Sequence, residues 1–321
     1  MSQNMMKAKL EELKDLAGKS NIDVSREIEE LGRKLGVDGA GNDAWSRVLL
    51  ARHPSRPTTL EYAQRIFDDF LELSGDRGYM DDPAMVGGIA LLGGLPVTFI
   101  GHQKGKNMKD NIKRNFGMAH PEGYRKALRL ARQAEKFDRP ILTFIDTPGA
   151  FPGVAAEERG VSQAIAENMK EFSVLRVPII ATVLGEGGSG GAIGIGVANT
   201  VLMMQNAYYS VITPEGCASI LLRDSGKASQ SASLLKLTPD DLLALQVIDR
   251  IVPEPEGGAH NNPDGAAVSL KSVLQETLAE LSKKPAAALQ SERQAKFLAM
   301  GAFEEPEPAR KSLLQRIISF F

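Results

Sequence analysis

The sequence predicts an α/β fold: a largely parallel sheet with crossover helices, preceded by a helical hairpin and followed by further helices. Three observations carry this. A unit of strand, special turn and helix occurs twice in succession, starting at residues 141 and 179. The two strands, Ile141-Leu142-Thr143-Phe144-Ile145 and Ile179-Ile180-Ala181-Thr182-Val183-Leu184, are near-continuous apolar runs of the kind buried on both faces. Parallel neighbours need a crossover, usually a helix, and helical periodicity stands where that crossover belongs.

The ends of the chain read as helix. Over residues 5–35, Leu10, Leu13, Leu16 and Ala17 share one face, and Ile28, Leu31 and Leu35 recur later. Ser20-Asn21-Ile22-Asp23 breaks that run into a hairpin. With 321 residues, one large domain with appendages fits better than two equal domains. The boundaries fall at 1–44 for the N-terminal helical region, 45–255 for the core, and 256–321 for the C-terminal helical region. A net charge of −2 gives no signal for nucleic-acid binding. The single cysteine, Cys217, excludes an internal disulfide and a multi-cysteine zinc site, and reads as a small buried residue. Residues 1–15 lack an apolar core, so neither a signal peptide nor a transmembrane span is expected, and the expected location is cytoplasmic.

Taking the elements in order, Pro54 and Pro57 keep residues 53–57 irregular. Thr58 or Thr59 then caps a helix expected over 60–73, with Tyr62, Ala63, Ile66, Phe67, Phe70 and Leu71 on its apolar face. Residues 85–92 and 96–100 read as two strands joined by Gly93-Gly94. A basic segment comes after them, holding Lys104, Lys106, Lys113 and Arg114. Pro121-Glu122 starts a helix along Tyr124, Ala127, Leu128, Ala131 and Ala134. The repeated units come next. Residues 200–204, 208–212 and 247–252 read as short strands, and 215–222 as helix. Residues 223–233 are polar and are expected to be mobile. Thr238-Pro239-Asp240-Asp241 is a strong helix start. After a Pro/Gly loop, Leu270, Val273, Leu274, Thr277 and Leu281 mark a C-terminal helix, and residues 310–321 a basic amphipathic one.

The chemistry centres on Gly185-Glu186-Gly187-Gly188-Ser189-Gly190-Gly191-Ala192. Seven of the twelve residues 185–196 are glycine, a composition that weakens a helix and exposes backbone. A strand turning sharply into a helix there would present main-chain N–H groups to an anion or oxyanion. A purely structural role, tight packing of helix on strand, competes with this. So does a nucleophile, because Gly187 to Gly191 formally matches G-x-S-x-G with Ser189 at its centre. None of His53, His102, His120 and His260 sits in a recognisable triad context. The turn Asp146-Thr147-Pro148-Gly149-Ala150-Phe151-Pro152-Gly153 is a second site, with Gly149 and Gly153 as further candidate donors. Successive units place both turns at one end of a parallel sheet, where ligands bind. The basic segment either meets a phosphate or carboxylate, or is a solvated face or a subunit contact. No metal-ligand pattern and no dinucleotide fingerprint is present.

Several motifs together resemble one family. They are Ala51-Arg52-His53-Pro54, Gly101-His102-Gln103-Lys104-Gly105, Arg114-Asn115-Phe116-Gly117-Met118 and Pro121-Glu122-Gly123-Tyr124-Arg125-Lys126-Ala127. With them go Phe144-Ile145-Asp146-Thr147-Pro148-Gly149-Ala150, the glycine stretch and Pro214-Glu215-Gly216-Cys217-Ala218-Ser219-Ile220. The chain resembles the alpha subunit of the carboxyltransferase component of bacterial acetyl-CoA carboxylase. That resemblance implies a crotonase-like (ClpP/crotonase) spiral of ββα units. It implies transfer of a carboxyl group from carboxybiotin to acetyl-CoA, giving malonyl-CoA for fatty acid synthesis. No cofactor is expected to be bound covalently here, because the biotin rides on a biotin carboxyl carrier protein charged by a biotin carboxylase.

The resemblance also implies an alpha2-beta2 assembly with a homologous beta subunit. That subunit carries the zinc and supplies the oxyanion site for the acetyl-CoA enolate. This chain is expected to supply a second one, the N–H groups of Gly190 and Gly191 facing the biotin ureido oxygen. Gly187, Gly188, Ser189, Thr147, Pro148, Gly149 and Gly153 are expected around the substrate. Such a site needs no histidine or carboxylate base on this chain. The competing expectations are a crotonase-type hydrolase using Ser189, and a non-catalytic scaffold for the carrier. Two stretches depart from the family pattern: residues 232–242 look shortened, and the tail after Gly301 has no counterpart.

Overall fold

The computed structural model describes residues 44–301. The expected helical hairpin over residues 5–35 and the amphipathic end over 310–321 lie outside the described residues.

Helices α1 (Ala44–Ala51) and α2 (Thr59–Ile66) open the described chain. The Thr58 N–H donates to the Glu61 carboxylate at 2.9 Å, fixing the start of α2. The helix stops earlier than its apolar period predicts. Phe67 is extended (φ −84°, ψ 143°), and Asp69–Glu72 is an edge strand, β1. The reason is tertiary. Phe70 sits opposite Ala90 in an antiparallel pair and turns its ring edge-on to Phe99 at 5.5 Å. Phe67 also meets Phe99, so strand spacing satisfies the same apolar residues that helical spacing promised.

Strands β2 (Met85–Leu92) and β3 (Leu95–His102) form the hairpin around Gly93 and Gly94, both at positive φ. Then come α3 (Met108–Lys113), α4 (Pro121–Lys136), β4 (Ile141–Thr147), α5 (Val154–Glu158) and α6 (Val161–Val174). The next unit is β5 (Ile179–Gly188), α7 (Ser189–Ile193), β6 (Thr200–Met204) and β7 (Tyr208–Ser210). The rest is α8 (Pro214–Cys217), α9 (Ala228–Leu234), α10 (Pro239–Ala244), β8 (Arg250–Val252), α11 (Pro263–Leu281) and α12 (Ala286–Leu298). The α10 start bears out its sequence signature: the Asp241 N–H donates to Thr238 Oγ1 at 3.2 Å. The polar stretch before it is partly helical. It forms α9, whose Ser231 and Ala232 are buried, Ala232 in a small cluster with Val48 and Tyr208.

The described strands form one sheet in the order β1-β2-β3-β4-β5-β6-β8, with β7 paired to the far end of β5. From β3 onward every pairing is parallel. Strands β4 and β5 are buried along their whole length, as their apolar runs require. The C-terminal helices close the core. Leu270 and Leu274 of α11 join it, and Arg293 of α12 is fully buried. Arg293 donates to the carbonyls of Phe172, Leu175 and Val177 at 2.6, 2.8 and 2.9 Å. It thereby satisfies acceptors that the end of α6 leaves open. Burial pushes its guanidinium down to about 10.

Candidate active site

Strand β5 runs further into the glycine stretch than a turn at Gly185 would allow. It stays a strand through Gly188, because Thr147 pairs with Gly187 on one side and β7 pairs with residues 186–188 on the other. The pairing is not regular. Ile145 faces Val183 and the next pair is Thr147 with Gly187, so Asp146 alone stands opposite Leu184, Gly185 and Glu186. A bulge of this kind bends the strand and re-aims the residues beyond it.

Side chains fill the bulge. Asp146 Oδ1 accepts the Glu186 N–H at 3.0 Å and the Lys104 ammonium at 2.7 Å. A Cβ on Gly185 would stand 2.7 Å from that oxygen, so the carboxylate passes only over a glycine. The guanidinium of Arg56 donates to the Leu184 carbonyl at 2.6 and 2.9 Å and pairs with Glu254 at 2.6 Å. Glu186 turns its carboxylate inward. It accepts from Lys104 at 2.7 Å, Arg52 at 2.8 Å and the Tyr208 hydroxyl at 2.6 Å. Burial pushes the Glu186 carboxyl up, but Lys104 and then Arg52 outweigh it and hold it at about 2. Burial likewise opposes the charge of Lys104, and Asp146 and Glu186 keep its ammonium above the usual lysine range.

Beside this network lies a cavity of about 410 Å³, lined in part by Arg52, His53, Lys104, Met108, Phe116 and Pro148. Its cations are matched. Arg52 also meets Glu215 at 2.5 Å, and Lys106 meets Glu61 at 2.5 Å. Arg114 of the same basic segment pairs with Asp110. Lys104, Lys106 and Arg114 of the segment are therefore tied to carboxylates of their own chain, and the cavity is not a strongly basic one.

The two glycine turns meet, as their place in successive units predicts. A Cβ on Gly188 would stand 2.1 Å from the Pro148 carbonyl oxygen, and one on Gly191 would stand 2.6 Å from the Gly149 carbonyl carbon. Helix α7 starts at Ser189, so Gly190 and Gly191 lie in its first turn, where N–H groups have no intrahelical acceptor. Gly190 is half-buried, and a Cβ there would meet only Ile165, at 3.5 Å. Gly187 packs on Tyr209. Gly149 is not a free donor: its N–H goes to Thr147 Oγ1 at 3.1 Å, and that hydroxyl donates back to the Gly149 carbonyl at 2.6 Å. Gly153 begins α5 and packs against the Phe151 ring, away from the glycines of β5.

Ser189 is half-buried and held at φ +46°, a strained setting for a serine. Among the described residues no histidine bonds its hydroxyl. His53 stacks on His260 at 3.8 Å, and His120 stacks on Phe151 at 4.1 Å. His102 is buried with both ring nitrogens unpartnered by side chains, and burial depresses it to about 3, so it is neutral. Among the described residues no cluster of His, Cys, Asp or Glu is arranged to hold a metal ion, and no helix is long and apolar enough to cross a membrane.

In the sequence, Arg52, Lys104, Asp146 and Glu186 stand out only as letters in motifs. A signal was nonetheless present. Asp146 ends an apolar strand, and Glu186 is the one charged residue in a run of apolar and small residues. Charges placed there must find partners inside the protein.

A family model described as acetyl co-enzyme A carboxylase carboxyltransferase-like matches residues 2–301. A protein of Treponema denticola named acetyl-coenzyme A carboxylase carboxyl transferase subunit alpha is 54% identical over 296 residues, covering 92% of this chain and 97% of the relative. Its namesake from Thermus thermophilus is 52% identical over 302 residues, covering 93% and 97%. Among solved structures, transcarboxylase 12S aligns with a TM-score of 0.58 at 19% identity, over 78% of this chain and 43% of that one. The beta subunit of a Pseudomonas aeruginosa geranyl-CoA carboxylase aligns at 0.55 and 19%, over 76% and 46%. A Pseudomonas malonate decarboxylase hetero-dimer aligns at 0.54 and 21%, over 68% and 89%. These structural likenesses establish the fold, which is crotonase-like.

Proposed function

This chain belongs to the family of acetyl-CoA carboxylase carboxyltransferase alpha subunits, and from that premise we propose how its site works and with what. The protein is a carboxyltransferase subunit. We propose that it moves the carboxyl group of carboxybiotin, carried on a separate protein, to acetyl-CoA to give malonyl-CoA, the first committed step of fatty acid synthesis, in the cytoplasm. Its partners in this proposal are a zinc-bearing beta subunit in an alpha2-beta2 assembly, a biotin carboxyl carrier protein and a biotin carboxylase.

The observation that carries the site assignment is the contact between the two turns. Gly188 and Gly191 lie so close to the backbone of Pro148 and Gly149 that no side chain fits between them. The first turn of α7 is thereby held rigidly at the end of β5, while Gly190 stays partly open. Carboxybiotin, when bound, supplies the carboxyl group and gathers negative charge on its ureido oxygen as that group departs. The N–H groups of Gly190 and Gly191 are the donors we assign to that oxygen. Fixed donors of this kind need no reorganisation as charge develops, and one of them is worth about 3 kcal/mol of barrier. No side chain of this chain is required as nucleophile, which agrees with the absence, among the described residues, of a histidine bonded to Ser189.

The test is malonyl-CoA formation from carboxylated carrier and acetyl-CoA, with and without the beta subunit. Turnover only in the assembled complex is expected. Robust turnover by this chain alone would sink the divided site.

A further inference from the structure

We propose that Lys104 is a positioning residue for carboxyl transfer: by bridging Asp146 and Glu186 it holds the β5 bulge that sets where the N–H groups of Gly190 and Gly191 point. The inference rests on the donor assignment above. It concerns a side chain that touches neither substrate nor reacting atom in that assignment.

The geometry has four parts. Lys104 Nζ is 2.7 Å from a carboxylate oxygen on each of the two adjacent parallel strands, and so spans the bulge. Among the described residues it is the only cation bonded to Asp146. Its stem runs along a prepared track: Gly117, at φ +80°, would place a Cβ 3.0 Å from Lys104 Cγ and 2.9 Å from the Asp146 carbonyl oxygen. Finally, the strand it steadies leads directly into α7. Only Gly187 and Gly188 separate Glu186 from α7, so a shift of Glu186 acts on the donors through two residues of backbone.

Without the ammonium, two buried carboxylates would face each other across the bulge. Glu186 would keep Arg52 and Tyr208, with Glu215 behind Arg52. Asp146 would keep only the Glu186 N–H, with the Arg56–Glu254 pair and Tyr62 nearby and neutral His102 adding no charge. The Asp146 carboxylate must then swing away from Glu186 and loosen its hold on the Glu186 N–H. Two carboxylates beside it and its raised affinity for the proton keep Lys104 charged, so it is not a general base.

The experiment uses the assembled complex with its carrier and compares three variants. Lys104→Met should lower kcat roughly 100-fold, the scale of a displaced catalytic group, with KM for acetyl-CoA within about twofold. Lys104→Met combined with Asp146→Asn keeps an acceptor for the Glu186 N–H but removes the repulsion, and should recover about tenfold of the loss. Three results overturn the proposal: unchanged turnover in Lys104→Met, a double variant no better than the single one, or loss of assembly in both. The last would make the network a requirement of folding. Gly190→Pro, assayed in parallel, separates the two claims. If it is inactive while Lys104→Met is normal, the donors stand and the positioning role falls. If it is fully active while Lys104→Met is impaired, the donor assignment falls.

Discussion

Asp146 Oδ1 lies 3.0 Å from the Glu186 amide nitrogen, so a side chain of one strand completes the backbone bonding of the next. The bulge it closes is the last irregularity before the glycine turn. Most of the expected behaviour of the site derives from how tightly that corner is built.

Gly190→Pro removes one proposed donor at a place where a Cβ meets only Ile165, at 3.5 Å. Proline is tolerated in the first turn of a helix. Carboxyl transfer should fall on the order of 100-fold while thermal stability stays within a few degrees. Gly191→Pro is a poorer test, because any Cβ at that position collides with the Gly149 backbone.

Gly188→Ala should destabilise the protein by about 1–3 kcal/mol or more, because its methyl group would overlap the Pro148 carbonyl. Gly190→Ala should be neutral or stabilising by up to about 1 kcal/mol, since alanine is the better helix former. Thermal melts of the pair give the comparison.

Ser189→Gly removes the hydroxyl and relieves a positive φ. Stability should rise by about 1 kcal/mol. Transfer should persist within a few-fold of wild type. A drop of several orders of magnitude would instead restore Ser189 as a nucleophile.

Glu186 titrates at about 2 in the folded protein against an ordinary 4.5. A depressed carboxyl contributes stability that is fully present above the unfolded value and is lost as pH falls through the folded one. Wild type should therefore lose stability between pH 4.5 and about 2. Glu186→Gln should be less stable at neutral pH and flatter across that window. Urea titrations at several pH values would show it.

Arg293→Met should cost about 3 kcal/mol, because the carbonyls of Phe172, Leu175 and Val177 lose a charged donor in a buried place. Chemical denaturation measures it directly.

Much of the fold was legible in the chain. The runs at 141–145 and 179–184 appear as adjacent parallel strands, and the two Gly/Pro turns touch as successive units demand. Local signals with one mechanism were dependable: Thr238 caps its helix and Gly93-Gly94 turns its hairpin. The features that escaped depend on partners far along the chain. Phe70 reads as helical until Ala90 and Phe99 are beside it. Ala228 to Leu234 has too small an apolar face to announce a helix, and forms one on Val48 and Tyr208. Lys104, Asp146 and Glu186 lie on three segments whose convergence no local pattern encodes.

The Arg293 clamp carries a consequence for synthesis. Its guanidinium caps a helix whose Phe172 lies 121 residues earlier. A ribosome that has delivered α6 and β5 still holds the residue that satisfies their connecting turn. Domains fold as units, and here the last described helix belongs to the unit. A nascent chain therefore carries open buried carbonyls at the end of α6 until α12 has emerged. The cell must shield that turn, and a premature stop ahead of Arg293 should yield a product that is cleared rather than one that is merely slow.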